Sequence, residues 1–322
     1  MKPAEAFPII ADDLAEVDRV IRQRLASEVP LVNTVADYII AAGGKRMRPS
    51  LLSLTSRALG YSGSNHYLLG AVIEFIHTAT LLHDDVVDDS SMRRGRPTAN
   101  QSFGNPTAVL VGDFLYSRAF QMMLDASSMP IMQVLADATN TIAEGEVLQL
   151  MNCNDPNVNE ERYLKVIRFK TAKLFEAAGE VGAILAGADT QTQQAMAAYG
   201  RHLGTAFQLV DDALDYSGNE VELGKTVGDD LREGKATLPL IYLMSNGTRE
   251  VKNLVRDAIE SGHSTEFETI LNAIKTSGAL NYTMEQARRE ATTASHSLNV
   301  LSPSIYKDAL IYFASFSVER SS

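Results

Sequence analysis

Residues 71–88 read AVIEFIHTATLLHDDVVD, a spacing that favours one long helix. Apolar side chains cover most faces of that helix, so other helices or lipid must surround it. The sequence has no apolar run near the roughly 20 residues that span a bilayer. The helix is therefore expected at the centre of a helical bundle, where the aspartates at its end need an explanation.

Helical spacing of apolar residues continues along the chain, whereas alternating strand-like patterns are scarce. Helices are predicted over about 66–89, 106–125, 130–151, 159–187 and 191–216, with several shorter ones after about 236. Residues 106–124 are also apolar on most faces and are expected at the centre of the bundle. With no tandem repeat and no low-complexity linker, residues 1–322 are predicted to form a single all-α domain.

The composition excludes some classes of function and location. The formal net charge of −11 argues against a nucleic-acid partner, because polyanion binders usually carry a basic face. The single cysteine, Cys153, excludes an internal disulfide framework and fits a reducing compartment. The N-terminus lacks a basic stretch followed by an apolar core, so no secretory leader is expected. Together these features predict a cytoplasmic protein with no transmembrane segment.

The first acidic cluster comprises Asp84, Asp85 and Asp88. Asp84 and Asp88 share one helix face, where like charges repel, and Asp85 is turned aside. Acids near a helix C-terminus also oppose the macrodipole, so another group must stabilise them. A hard divalent cation such as Mg²⁺, which prefers oxygen ligands, supplies that stabilisation. The plainer alternative is a helix end whose aspartates are simply hydrated.

A second cluster repeats the arrangement in FQLVDDALD, residues 207–215, where the acids are Asp211, Asp212 and Asp215. One such cluster is weak evidence, because short motifs often arise by chance. Two clusters on two apolar helices point to several Mg²⁺ ions that could hold a diphosphate and stabilise it as a leaving group.

Basic residues are grouped near both clusters. The groups are Lys45, Arg46 and Arg48 in GGKRMRP, Arg93, Arg94 and Arg96 in MRRGRP, Lys170 in RFKTAKL, and Lys225 and Lys235 in the polar segment 217–237. That segment is too long for an idle connector and is a candidate lid. There are more of these basic residues than one diphosphate requires, which suggests two anionic substrates. Arginine suits bidentate contacts with phosphate, and lysine supplies a single positive charge.

Taken together and in order, these motifs resemble those of the trans-isoprenyl (polyprenyl) diphosphate synthases over about 43–235. The stretches EFIHTATLLHDDVVD and AEGEVLQL are most similar to the bacterial branch that makes octaprenyl diphosphate for quinone side chains. The resemblance implies an isoprenoid-synthase-type helical bundle around a deep central cavity, assembled as a homodimer. It also implies Mg²⁺-dependent condensation of an allylic diphosphate, with farnesyl diphosphate as the expected primer, with successive molecules of isopentenyl diphosphate.

The resemblance assigns roles to individual residues. The expected metal ligands are Asp84, Asp88 and Asp211, with Asp85, Asp212 and Asp215 ligating or supporting. The residues expected to bind the allylic diphosphate are Arg93, Lys170, Lys225 and Lys235. Those expected to bind isopentenyl diphosphate are Lys45, Arg48, His77 and Arg94. Thr171 and Gln208 would face the reacting carbons. His77 lies seven residues before Asp84 and can share its face, although a buried structural histidine is an equal alternative.

Product length is expected to depend on residues below the first cluster. One helical turn rises about 5.4 Å, comparable to one isoprene unit. Ala79 and Thr80 are small, which argues against a short product. A floor could come from Val72, Phe75 or Ile76 on this helix, or from Phe120, Met122 and Met123 on the next. Ordinary core packing remains the alternative for all of these.

Four alternative functions are consistent with parts of the sequence. A terpene cyclase would replace the second acidic cluster and line its pocket with aromatics, whereas this chain has 7% aromatic residues and no tryptophan. A silent subunit of a heteromeric synthase would have lost aspartates, and a structural bundle leaves both clusters unexplained. A shorter-chain, geranylgeranyl-type synthase stays open. Release of a hydrophobic product would require peripheral contact with a membrane.

Overall fold

The computed structural model describes residues 8–41, 43–217, 227–262 and 266–319. Across these ranges the fold is all-α, as predicted, apart from one two-stranded hairpin. The helices in chain order are α1 Ala11–Leu25, α2 Pro30–Ala41, α3 Met47–Ala58, α4 Asn65–Val87, α5 Ala99–Phe103, α6 Asn105–Asp125, α7 Met129–Asn152, α8 Glu160–Ile167, α9 Lys173–Leu185, α10 Thr190–Ser217, α11 Asp229–Arg232, α12 Leu238–Asn246, α13 Arg249–Ser261, α14 Phe267–Thr276, α15 Ala279–Ser297 and α16 Ile305–Glu319. The hairpin strands are β1 Met92–Arg93 and β2 Arg96–Pro97, a π-helical segment spans Arg168–Ala172, and short 3₁₀ turns cover Pro8–Ile10 and Leu298–Val300.

The chain forms two compact units, and each is described by itself. The first takes in the chain up to Thr139 together with Leu174–Gly200 and Ser297–Ile311. The second comprises Asn140–Lys173, Arg201–His296 and the chain from Tyr312. The single domain expected over residues 1–322 stays a prediction.

Helix α4 forms the core of the first unit and packs against α1, α3 and α6. Its Phe75 and Ile76 are almost fully buried. A glycine lets α1 come close, since a Cβ at Gly70 would lie 3.0 Å from Cγ2 of Val17. The central position expected for the 71–88 helix is confirmed for this unit.

A partly buried ion pair ties α1 to α3. Arg57 donates from Nη2 to Oδ1 of Asp13 at 2.6 Å and from Nε to Oδ2 at 3.0 Å. Burial raises the pKa of Asp13, but contacts with His66 and Arg57 outweigh it and hold that pKa well below its usual range. Removing either partner would destabilise the fold, because the remaining charge would lose its compensation.

Helix α6 departs from the expectation that it lies wholly inside the bundle. Leu110 and Leu124 are 66% and 59% exposed, and Phe120 is 37% exposed. Helix α6 buries Leu115, Met122 and Met123, whereas its opposite face remains open. That prediction was wrong for the single chain, because apolarity on all faces shows only that a helix needs apolar neighbours and not that its own chain supplies them.

The second unit is organised around the C-terminal part of α10. Leu209 and Val210 pack with Tyr163 and Ile167 of α8, and Tyr216 packs with residues of α12 and α13. Helices α12 to α16 confirm the several shorter helices expected after residue 236. Over the described ranges, no helix is both long and apolar enough to cross a bilayer.

Candidate active site

The first acidic cluster lies where α4 ends. The backbone N–H of Asp88, the first residue past the helix, still donates to the carbonyl oxygen of Asp84 at 2.8 Å. Asp84 and Asp88 are therefore one turn apart, as predicted, and both are partly buried. Asp85 is 1% exposed and accepts from Nη2 and Nε of Arg93 at 2.7 and 2.9 Å. Burial raises the pKa of Asp85, and Arg93 opposes that rise.

Arg93 and Arg94 lie on the β1–β2 hairpin, which sequence reasoning treated as a loop. The strands pair Met92 with Pro97 and Arg93 with Arg96. Arg94 and Gly95 form the turn with φ of +53° and +73°. Positive φ at both turn positions is typical of tight hairpins, which usually use Asn-Gly or Asp-Gly. The Arg-Gly pair carried no such signal, so the hairpin was missed.

A pocket in the first unit encloses about 580 Å³ of empty space, part of it open to solvent. The charged side chains that line it, together with His77, are Arg46, Glu74, Asp85, Arg93, Arg94 and Arg96. Four of these are arginines, which suits a site for a phosphorylated ligand. Burial lowers the pKa of His77 well below its usual value, and four neighbouring arginines lower it further. His77 is therefore neutral at pH 7.

The GGKRMRP segment approaches the same pocket. A Cβ at Gly44 would lie 3.3 Å from Nη1 of Arg94, so the lack of a side chain allows the segment to come close to the hairpin. Arg46 has φ of +46° and pairs with Asp18 at 2.9 Å and with Glu74 at 2.7 Å. These contacts hold Arg46 in place and thereby help to position the residues before and after it.

Two other cations of this segment were predicted to bind isopentenyl diphosphate. The guanidinium of Arg48 stacks over the ring of Phe175, 4.4 Å from its centroid. Lys45 is partly exposed. The structure thus gathers Arg48, Lys45, His77 and Arg94 within the first unit, although their roles stay predictions.

The second acidic cluster separates into three environments. Asp211 is exposed, whereas Asp212 and Asp215 are 4% and 0% exposed. Burial, reinforced by the nearby charge of Asp230, raises the pKa of Asp212 to about 8. The backbone N–H of Asp230 donates to Oδ2 of Asp215 at 3.3 Å, which joins the first turn of α11 to α10. Asp211 is the member most open to an incoming ligand.

Lys170 and Thr171 lie in the π-helical segment, a distortion often found at functional sites. Helix α7 approaches it at Gly145, where a Cβ would lie 2.7 Å from the backbone nitrogen of Lys170. Nζ of Lys170 pairs with Oε2 of Glu146 at 2.6 Å. The hydroxyl of Thr171 donates to Oε1 of Gln208 at 2.9 Å. The second unit therefore brings together Lys170, Thr171 and Gln208, which were predicted to act together.

The candidate lid is described only in part. Lys225 lies outside the described residues, so its predicted role stays a prediction. Nζ of Lys235 pairs with Oε2 of Glu233 at 2.5 Å, and its backbone N–H donates to Asp230 at 2.8 Å. Lys235 is thereby fixed near the start of α12.

The residues predicted to limit product length lie on α4 and α6 in the first unit. The buried members are Val72, Phe75, Ile76, Ala79, Met122 and Met123. Thr80 is partly buried and donates its hydroxyl to the carbonyl of His77 at 2.7 Å. Phe120, considered as a floor residue, instead lies on the open face of α6, because its helical position faces away from α4.

The acids are suited to Mg²⁺ by their chemistry. Asp84 and Asp88 offer only oxygen ligands and lie one turn apart. No three His, Cys, Asp or Glu side chains within the described ranges converge enough to hold a metal ion by themselves. Mg²⁺ usually takes one or two protein carboxylates and completes its shell with water and substrate phosphate. The donor set therefore fits an ion that binds together with a diphosphate.

Sequence reasoning missed the residues that hold the site residues in place. They are Asp18, Glu74, Glu146, Tyr163 and Glu233. Glu74 carried a usable signal, since it lies three residues before His77 on the same helix. Glu146 lies in AEGEVLQL, which served only as a mark of resemblance. Nothing in the sequence distinguishes Tyr163 from an ordinary core residue, because an aromatic side chain on a helix is usually buried.

Comparison with known proteins agrees with this geometry. The sequence profile of the polyprenyl synthetases matches residues 29–276. The chain is 51% identical to octaprenyl diphosphate synthase of Escherichia coli K12, over 97% of each chain. A polyprenyl synthase from Caulobacter crescentus CB15, solved with calcium and isoprenyl diphosphate, superposes with a TM-score of 0.95 at 44% identity, covering 98% of this chain and 97% of that one. A decaprenyl diphosphate synthase from Rhodobacter capsulatus superposes with a TM-score of 0.93 at 44% identity over 99% of each chain.

Proposed function

The chain belongs to the polyprenyl synthetase family, and we propose from that membership how its residues share the work of building a prenyl chain. It is a prenyltransferase, a long-chain trans-polyprenyl diphosphate synthase that makes octaprenyl diphosphate. A synthase of decaprenyl diphosphate is also close in structure. Its substrates are an allylic diphosphate, for which we propose farnesyl diphosphate, and isopentenyl diphosphate.

The observation that supports a diphosphate site is the arginine-rich pocket that Asp85 helps to line. Four guanidinium groups and a neutral imidazole line it, a composition that binds a phosphorylated ligand. We assign isopentenyl diphosphate to Lys45, Arg48, His77 and Arg94. We assign the allylic diphosphate to Arg93, Lys170, Lys225 and Lys235.

Several bound Mg²⁺ ions would supply positive charge that stabilises the departing diphosphate. Asp84, Asp88 and Asp211 would hold them, with Asp85, Asp212 and Asp215 supporting. In the proposed mechanism, apolar residues of α4 and α6 would keep water from the cation left by the allylic substrate. Lone pairs of Thr171 and Gln208 would stabilise that cation. The double bond of isopentenyl diphosphate then attacks it, and the released diphosphate takes up the proton that is lost.

The assignment of Asp84 and Asp88 is tested by replacing both with asparagine. Because metal charge is required to stabilise the leaving group, kcat should fall by roughly 100-fold or more and the Mg²⁺ requirement should rise. Elongation of farnesyl diphosphate with labelled isopentenyl diphosphate, measured across a Mg²⁺ titration, provides both readouts. Asp308→Asn, at an exposed position on α16, is the matched control and should leave both unchanged. A double variant with wild-type kinetics would contradict the assignment.

We propose a homodimer as the working assembly. The open face of α6, which carries Leu110, Phe120 and Leu124, supplies apolar surface of the kind that subunit interfaces cover. Sedimentation should give a particle of twice the 35.0 kDa chain mass. A 35.0 kDa particle at assay concentration would rule the dimer out. A cytoplasmic location, based on the single cysteine, and a peripheral membrane contact for product release remain predictions.

A further inference from the structure

Four side chains of the second unit form one hydrogen-bonded chain. The hydroxyl of Tyr163 donates to Oδ2 of Asp212 at 2.5 Å. Nε2 of Gln208 donates to Oδ1 of Asp212 at 2.7 Å, and Oε1 of Gln208 accepts from Thr171 at 2.9 Å. Tyr163 and Asp212 are 5% and 4% exposed, whereas Gln208 and Thr171 are partly exposed. This series of hydrogen bonds therefore connects the core of the unit with side chains that a ligand can reach.

The hydrogen bonds fix which way the Gln208 amide points. The amide NH₂ of Gln208 faces Asp212 and donates to it, and the amide oxygen faces Thr171 and accepts from its hydroxyl. Gln208 is four residues before Asp212 on α10, so the same helix face carries both. The position of the Asp212 carboxyl group therefore determines the orientation of the Gln208 amide.

Tyr163 in turn fixes the carboxylate. Its hydroxyl occupies the oxygen of Asp212 that Gln208 does not use, so the carboxylate cannot rotate without losing a bond. Burial and the adjacent Asp212 raise the pKa of Tyr163 well above its usual value, and the hydroxyl keeps its proton. The rigid element is therefore the Tyr163–Asp212 pair.

We propose that Tyr163 is a positioning residue for prenyl transfer, acting through Asp212 to hold the Gln208 amide with its oxygen beside the hydroxyl of Thr171. This proposal rests on the proposed function, in which these two oxygens face the allylic cation. Their lone pairs stabilise that cation only when both are aimed at it, so loss of orientation costs turnover rather than binding.

A purely structural role for Tyr163 makes a different prediction. Its ring packs with Ile167, Leu209 and Leu238, and that packing contributes to the core whatever the hydroxyl does. Tyr163→Phe keeps the ring and removes only the hydroxyl. A structural role would then appear as a lower unfolding temperature with unchanged kcat in the folded enzyme.

The test compares Tyr163→Phe with wild type in the full-length protein, using Mg²⁺, farnesyl diphosphate and isopentenyl diphosphate. We expect kcat to fall roughly tenfold, the effect of losing one buried hydrogen bond, with KM for both substrates within about twofold. Tyr282→Phe is the matched control, since it also removes a hydroxyl that donates to a carboxylate, Glu160 at 2.9 Å. Its kcat should be unchanged. An unchanged kcat in Tyr163→Phe would overturn the proposal.

A double-mutant cycle keeps the test decisive if Tyr163→Phe also lowers stability. If Tyr163 acts through Gln208, adding Tyr163→Phe to Gln208→Ala should lower kcat no further. Independent, multiplied losses would overturn the proposal. An inactive wild-type enzyme would instead count against the proposed function, so the two failures can be told apart.

Discussion

The imidazole of His77 is buried among guanidinium groups, and both the burial and these cations keep it neutral. Burial lowers the pKa of His77, and Arg48, Arg94, Arg93 and Arg46 lower it further, since a cation there would be repelled. A neutral imidazole can still donate one hydrogen bond and accept another. His77 therefore fits a role in orienting a ligand rather than in supplying charge. A diphosphate in the pocket would reverse its electrostatic surroundings.

This reversal predicts the pH behaviour of His77. In the free protein the pKa of His77 should lie below 6.5, and isopentenyl diphosphate should raise it, because the ligand's negative charge offsets the arginines. The lowered pKa means that the fold favours neutral His77, so its contribution to stability is present above pH 6.5 and is lost as pH falls below it. NMR titration of labelled histidine, with His77→Gln to assign the signal, measures both states. A pKa that does not change with the ligand would contradict the placement of His77 at the diphosphate.

Helices α4 and α6 each carry residues of different environments. Helix α4 carries His77, which lines the pocket, and Asp84 near its end, and it buries Phe75 and Ile76 further back. Helix α6 buries Met122 and Met123 on one face and exposes Phe120 on the other. The buried side chains of α6 can therefore be changed without changing its outer surface.

Replacing both Met122 and Met123 with alanine should lengthen the product. Both are essentially fully buried, and truncating them opens space where a growing chain would otherwise stop. Product distributions resolved by chain length after dephosphorylation give the measurement. Phe120→Ala, on the open face of the same helix, is the control and should leave the distribution unchanged. An unchanged distribution in the double variant would remove these methionines from the floor of the cavity.

Across the whole molecule, the sequence predicted the structure correctly wherever a sequence pattern is compatible with only one local structure. The apolar period of 71–88 predicted a buried helix, and the spacing of Asp84 and Asp88 predicted one shared face. It failed where tertiary contacts decide. The hairpin at Arg94 lacks the usual turn residues, and the π-helical segment around Lys170 depends on how closely Gly145 approaches it.

Contacts distant in sequence were equally out of reach. Tyr163 meets Asp212 across 49 positions, and Arg46 meets Glu74 across 28. Neither pair has a local pattern, because only packing of separate helices brings its members together. The exposed face of α6 has the same origin, since a sequence period shows that a helix needs apolar cover but not which chain provides it.

If this chain builds a long prenyl diphosphate, its products must show it. The purified protein is incubated with Mg²⁺, farnesyl diphosphate and labelled isopentenyl diphosphate, and the dephosphorylated products are resolved by length. We expect a dominant octaprenyl species that disappears when Mg²⁺ is chelated. A longest product of geranylgeranyl length would contradict the long-chain assignment and the reading of Ala79 and Thr80, and no elongation at all would contradict the claim that the chain is active alone.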